Sequence, residues 1–144
     1  MTALRLVSER EPAPADLDVV VWGVNWFNMR LMHEEHFLDI SIFLRDNANT
    51  IQGGILGTVW AGWFHIDYLW IAEEHRHHGY GDQLMQAAEA EAVAYGGIHA
   101  YLETFSFQAR PFYERHGFQV VGTMPDYPPG QTYYLMSKSL TGKA

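Results

Sequence analysis

Residues 66–85 read IDYLWIAEEHRHHGYGDQLM. The first part, within GWFHIDYLWIA, is rich in β-branched and aromatic residues and reads as a strand. A short polar loop follows. From Gly79 to Tyr95 the apolar residues recur at helical spacing, with Leu84, Ala88, Ala92 and Tyr95 on one stripe. Gly96 and Gly97 stop that helix, and IHAYLET (98–104) reads as a second, buried strand. A strand, a helix and a strand in close succession imply a crossover between parallel strands, right-handed by the usual rule. This unit decides the fold class, which is α/β.

Outward from it the elements are mostly strands. FLDISIFLR (37–45), TIQGGILGTVW (50–60), FQVVGTM (118–124) and TYYLMSKSL (132–140) each read as strands. DNAN and DYPPGQ are turn signals. LRLVSE (4–9) alternates and suggests an edge strand, while Asp16 to about Met32 reads as a helix after PAPAD. Ala109 to His116 is a short helix ended by Gly117. The expected architecture is a single domain over 1–144, a mixed sheet with flanking helices.

Composition bounds the function. The chain has 144 residues, 9 Lys+Arg against 17 Asp+Glu, and a formal net charge of −8. That balance disfavours nucleic acid as a partner and is compatible with cationic small molecules. There is no cysteine, which removes disulfides, thiolate metal sites and thiol nucleophiles, and fits a cytoplasmic location. The N-terminus lacks the apolar core of a signal peptide, and VVVWGVNWF (19–27) is too short to span a bilayer.

Against that acidic background, Arg76, His75, His77 and His78 precede Gly79 and Gly81 at the mouth of the helix. A helix N-terminus carries unpaired N–H groups and partial positive charge. Glycines there let main chain approach an anion closely, so the pattern points to a phosphate-bearing ligand. No Gly-Lys-Ser/Thr follows, and the third glycine of a dinucleotide fingerprint is missing. Three loop histidines without a carboxylate at matching spacing make a poor metal site, and none is expected.

The segment 66–85, with its Arg-x-x-Gly-x-Gly, resembles the acetyl-CoA-binding motif of the GNAT superfamily of N-acetyltransferases. Some thirty residues on, ARPFYERHGF (109–118) resembles the second signature of that family. The resemblance spans about residues 4–140. It implies a mixed, mostly antiparallel sheet with a splayed parallel pair at its centre, and acetyl-CoA as cosubstrate. The main chain of Arg76, His77, His78, Gly79, Tyr80 and Gly81 would hold the pyrophosphate. The pantetheine would lie in the splay along Leu69, Trp70 and Ile71, near Ala109, with the Ile71 N–H as oxyanion donor. Tyr113 would sit near the sulfur as general acid. Two departures stand out. Ser106 occupies a position where Asn often contacts the cofactor, and Asp82 follows the second glycine, where it is expected to face away from the phosphate.

The chemistry required is attack of an amine on a thioester, in a ternary complex. An alkylamine with pKa near 10.4 must give up about 4.6 kcal/mol to be a free base at pH 7, so a proton acceptor is useful. His65 and Asp67 are candidates for the base or its proton wire. Strict alternation would set them on one face with Leu69 and Ile71. Glu103, at the end of a neighbouring strand, is a second candidate. The acceptor would be a small-molecule or peptide amine. Trp22, Trp26 and Phe27 would either line its pocket or belong to the core, and Glu34, Glu35 and His36 are a polar run that would attract a cation. Similar proteins often form homodimers. A non-catalytic acyl-CoA sensor on the same fold is the alternative reading.

Overall fold

The computed structural model describes residues 2–32 and 36–141. They fall into two compact units, residues 1–35 and residues 36–144. Glu34 and Glu35 lie outside the described residues.

The first unit is built on α1 (Pro14–Leu31), with proline in its first turn, Asp16 near its N-terminus and Arg30 in its last turn. Each of these suits a helix end. None of its residues is buried, and Trp22, Trp26 and Phe27 are exposed. The strand expected over residues 4–9 is absent, and Leu4 and Leu6 are fully exposed. Alternation alone does not make a strand, because an extended segment without a partner ladder leaves its hydrogen bonds to water.

The second unit holds β1 (Leu38–Arg45), β2 (Ile51–Trp60), β3 (Trp63–Ile71), α2 (Tyr80–Ala94), β4 (His99–Phe105), α3 (Arg110–Arg115), β5 (Gln119–Pro125) and β6 (Thr132–Ser139). A single 3-10 turn at Glu73–His75 links β3 to α2. The six strands form one sheet in the order β1-β2-β3-β4-β6-β5. Every neighbouring pair is antiparallel except β3 and β4.

One face of the sheet packs against α2 through Leu84, Met85, Ala88 and Ala92. Tyr95, expected on that stripe, is instead 40% exposed, beyond the helix end. Phe64, Ile66, Ile55, Leu102, Met136 and Phe118 complete this core. Truncating a buried ring such as Phe64 to alanine would cost about 3–5 kcal/mol.

Two irregularities in β3 shape everything that follows. First, Leu56 pairs with Tyr68 but Gly57 pairs with Ile66, so Asp67 is an extra residue, a β-bulge. A Cβ at Gly57 would overlap the His65 carbonyl and the Phe64 ring, so only glycine fits opposite the bulge. The bulge resets the alternation. Leu69 and Ile71 pack against the core with Phe64 and Ile66, whereas His65 shares the outer face with Trp63, Tyr68 and Trp70. The expectation of one common face for His65, Asp67, Leu69 and Ile71 is therefore corrected, because a period of two does not survive an inserted residue.

Second, the parallel ladder of β3 and β4 covers only Trp63↔His99, Phe64↔Ala100 and His65↔Tyr101. Beyond it β4 stays paired with β6 as far as Phe105↔Tyr133, while β3 runs on to Ile71. The two strands part at a fork just past His65.

Candidate active site

The fork opens into a cleft of about 730 Å³ between the end of β3, the start of α2 and α3. Leu69, Trp70, Ile71, Arg76, His77, Gly79, Tyr80, Gly81, Ala109 and Tyr113 all line it. Ten sequence-predicted positions thus come together although they span three elements. His78 and Ser106 do not line it. The His78 ring lies toward Tyr80, 6.5 Å between centroids. The Ser106 hydroxyl donates to Gln131 Oε1 at 2.6 Å and accepts from the Thr132 amide at 3.0 Å. Those bonds tie the end of β4 to β6, so here the side chain that replaces the expected Asn holds the sheet together.

The loop before α2 is preset for an anion. Gly79 caps the helix at φ 83 and His77 is also left-handed at φ 64. The cap has no side-chain hydrogen bond. Among the described residues, the amides of His77 through Asp82 donate to no main-chain carbonyl outside the helix ladder, whereas Gln83 reaches back to the Gly79 oxygen at 3.1 Å. These are the free donors of a helix N-terminus. The Arg76 guanidinium donates from Nε to the Ile71 carbonyl at 2.9 Å, so it folds the loop as well as adding charge. Asp82, expected to face away from the phosphate, lines the cleft, and its carboxylate approaches Nε2 of His116, the residue that ends α3, at 2.7 Å. Arg115 and Phe112 also line the cleft. Sequence reasoning did not single them out, although they stand three residues apart, on one face of the short helix that carries Tyr113.

Tyr113 sits edge-on to Phe112 and Phe118, at 5.3 and 6.0 Å between centroids. Burial pushes its phenol above the usual value, because a phenolate is costlier than a phenol away from water.

On the outer face, His65 stands at the fork with both ring nitrogens engaged. Nδ1 is 2.7 Å from Asp67 Oδ1, and Nε2 is 2.7 Å from Glu103 Oε2. For both contacts to be hydrogen bonds, either the ring carries two protons or one carboxyl carries its own. The Glu103 contact bridges β3 to β4 where their ladder ends. The bulge allows it, since the extra residue turns Asp67 back toward the ring. His65 also stacks on Tyr101 at 4.4 Å. The Tyr101 phenol is pushed up by burial first, then by Glu103 and Asp67. Beside this cluster lies a second cavity of about 580 Å³, lined by Phe37, Thr58, Trp60, Ala61, Trp63, His65, Tyr101, Val121, Leu135 and Ser137. Among the described residues, no cluster of His, Asp or Glu has the arrangement of a metal site, and no helix is long and apolar enough to cross a membrane.

A cleft with free helix-end amides, entered from a fork between parallel strands, is the geometry that the sequence resemblance implied. The family model described as an acetyltransferase (GNAT) domain matches residues 39–120. The chain belongs to the GNAT acetyltransferase family. A blasticidin-S acetyltransferase of Streptomyces morookaense is 42% identical over 91 residues, covering 62% of this chain and 67% of the relative. An acetyltransferase of Agrobacterium fabrum is 30% identical over 112 residues, covering 78% and 82%. Among solved structures, an acetyltransferase from Bacillus cereus superposes with a TM-score of 0.86 at 29% identity, over 92% of this chain and 97% of that one. An aminoglycoside 6′-N-acetyltransferase complexed with coenzyme A shares the fold, with a TM-score of 0.65 at 18% identity over 90% of each chain. This GNAT chain is accordingly an acyltransferase.

Proposed function

We propose that residues 1–144 act as one domain that moves an acetyl group from acetyl-CoA to a primary amine of a small molecule, by direct attack in a ternary complex. The observation that carries this reading is the fork itself. It has a cleft with free amides on one side and a cavity with a carboxylate–imidazole–carboxylate cluster on the other, so two substrates can meet between the strands. The name of the Streptomyces relative, a blasticidin-S acetyltransferase, supports a small-molecule acceptor.

Each step uses groups on this chain. The amides of His77 through Gly81 receive the pyrophosphate, the Arg76 amide being bonded to the Glu73 carbonyl at 3.2 Å, and the main chain of Leu69 to Ile71, free of β4, pairs with the pantetheine. The acceptor arrives as an ammonium, and its proton passes along an ordered water chain to the Glu103–His65–Asp67 cluster, because His65 lies about 20 Å from Ile71 along β3. The amine lone pair then attacks the thioester carbon. A C–N bond forms while the Ile71 N–H holds the oxyanion. Collapse breaks the C–S bond, and Tyr113 protonates the departing thiolate and is reprotonated by water. Neither the attack nor the proton transfers call for a metal.

Release of free thiol from acetyl-CoA, followed across a panel of nucleoside, aminoglycoside, polyamine and amino-acid amines, tests the reading. Amine-dependent release with a matching mass gain of one acetyl group on the acceptor is expected. Tight coenzyme A binding with no release for any amine would reject transfer and leave an acyl-CoA sensor.

A further inference from the structure

The outer-face cavity carries chemistry of its own. Its walls are largely aromatic, and two ring pairs set their geometry. Phe37 and Trp60 stack in parallel at 5.2 Å with 4° between planes. Trp63 meets Tyr101 edge-on at 5.7 Å and 77°. A flat ring entering the corner between Trp63 and Tyr101 can stack on one and present its edge to the other, the two favoured aromatic arrangements.

The polar end of the same cavity is His65, backed by Asp67 and Glu103. Two carboxylates around one imidazole leave the cluster negative even when the ring is fully protonated. No lysine or arginine lines the cavity. At about 580 Å³ it falls within the range of small-molecule pockets and suits a compact ligand.

We infer that this cavity is the acceptor's seat, and that it selects amines whose ammonium is carried a short distance from a planar aromatic or heteroaromatic ring. The ring lies against Trp63 and Tyr101, and the ammonium points to Glu103 and His65 at the fork. This inference rests on the acetyl-transfer reading above and adds the acceptor's chemical class to it.

The test compares two amines of equal carbon count, phenethylamine and 2-cyclohexylethylamine, titrated by calorimetry into the full chain saturated with coenzyme A. Phenethylamine should bind about 10-fold more tightly, the selectivity an aromatic contact supplies over a saturated ring. Trp63→Leu should erase that preference while coenzyme A affinity stays as in the wild type. Tyr101→Leu, on the neighbouring strand, serves as a second variant with the same expectation. Equal affinity for the two amines, or no binding of either, would overturn the inference. Thiol release from acetyl-CoA, measured with the same amines, separates it from the reading beneath it. Release without ring preference removes the aromatic selectivity and keeps acetyl transfer. Ring-selective binding without release keeps the pocket and removes acetyl transfer.

Discussion

Tyr113 is held between the rings of Phe112 and Phe118, in a helix of only six residues, at the edge of the cleft. Burial raises its phenol pKa, which keeps the proton in place through neutral pH, as the proposed delivery to a thiolate requires. Tyr113→Phe keeps the ring and its packing. It should lower kcat by about 10- to 1000-fold with little change in coenzyme A affinity, and a wild-type kcat would leave Tyr113 a packing residue only. The same shift bears on stability. Because the folded pKa lies above the unfolded value, the contribution is intact below about pH 10 and is lost as pH rises through the folded pKa, with a limiting slope of about 1.4 kcal/mol per pH unit for one proton. Denaturant titrations between pH 9 and 11 should show stability falling more steeply in the wild type than in Tyr113→Phe. The place of this side chain at the cleft was legible in the sequence because it sits in a compact signature, ARPFYERHGF. Ser106 was not legible, since nothing local shows that a hydroxyl at the end of β4 will be occupied by Gln131 and Thr132.

The two glycines that open α2 do different work, and the difference separates binding from catalysis. Gly79 has φ 83, and a Cβ there would meet no protein atom within 4 Å. Gly79→Ala therefore carries backbone strain, about 1 kcal/mol, in the loop proposed to receive phosphate. At Gly81 a Cβ would come within 3.1 Å of the Phe112 ring, pressing on α3 and hence on Tyr113. Both variants should weaken coenzyme A binding, but only Gly81→Ala should also depress kcat at saturating coenzyme A. Equal kcat in the two would mean that Phe112 yields without moving its neighbour. At this scale the elements were readable from periodicity and turn residues: β1 to β6, α2 and α3 lie within a few residues of their expected bounds. The bulge at Asp67 was not readable, because an inserted residue has no composition signal and reveals itself only through its partner strand, where Gly57 faces it. That single residue moved His65 and Ile71 to opposite faces of the sheet.

Within residues 36–141, α2, α3 and β6 are tied at one point, Lys138. From β6 its ammonium donates to the His116 carbonyl at the end of α3 at 2.6 Å, and lies 2.7 Å from Glu89 Oε1 on α2. It also sits 5.5 Å from the centre of the Phe118 ring. The Glu89 oxygen is buried and the contact is off the alignment of a hydrogen bond, so charge alone holds it. Both side chains are less than one-fifth exposed, which places the pair where losing one partner costs more than the pair contributes. Together with the Asp82–His116 contact, this clamp fixes α3 against α2 and so sets where Tyr113 stands over the cleft. Lys138→Met should strand the Glu89 charge and free the His116 carbonyl, destabilising the protein by about 3 kcal/mol and lowering Tm by roughly 6–12 °C. Adding Glu89→Gln to that variant removes the stranded charge and should recover about half of the loss. The coupling between the two sites, read from a double-mutant cycle of denaturant unfolding, should thus be large. Additive effects would show that Lys138 and Glu89 act independently, and that packing of Phe118 and Phe112, not charge, keeps α3 in place.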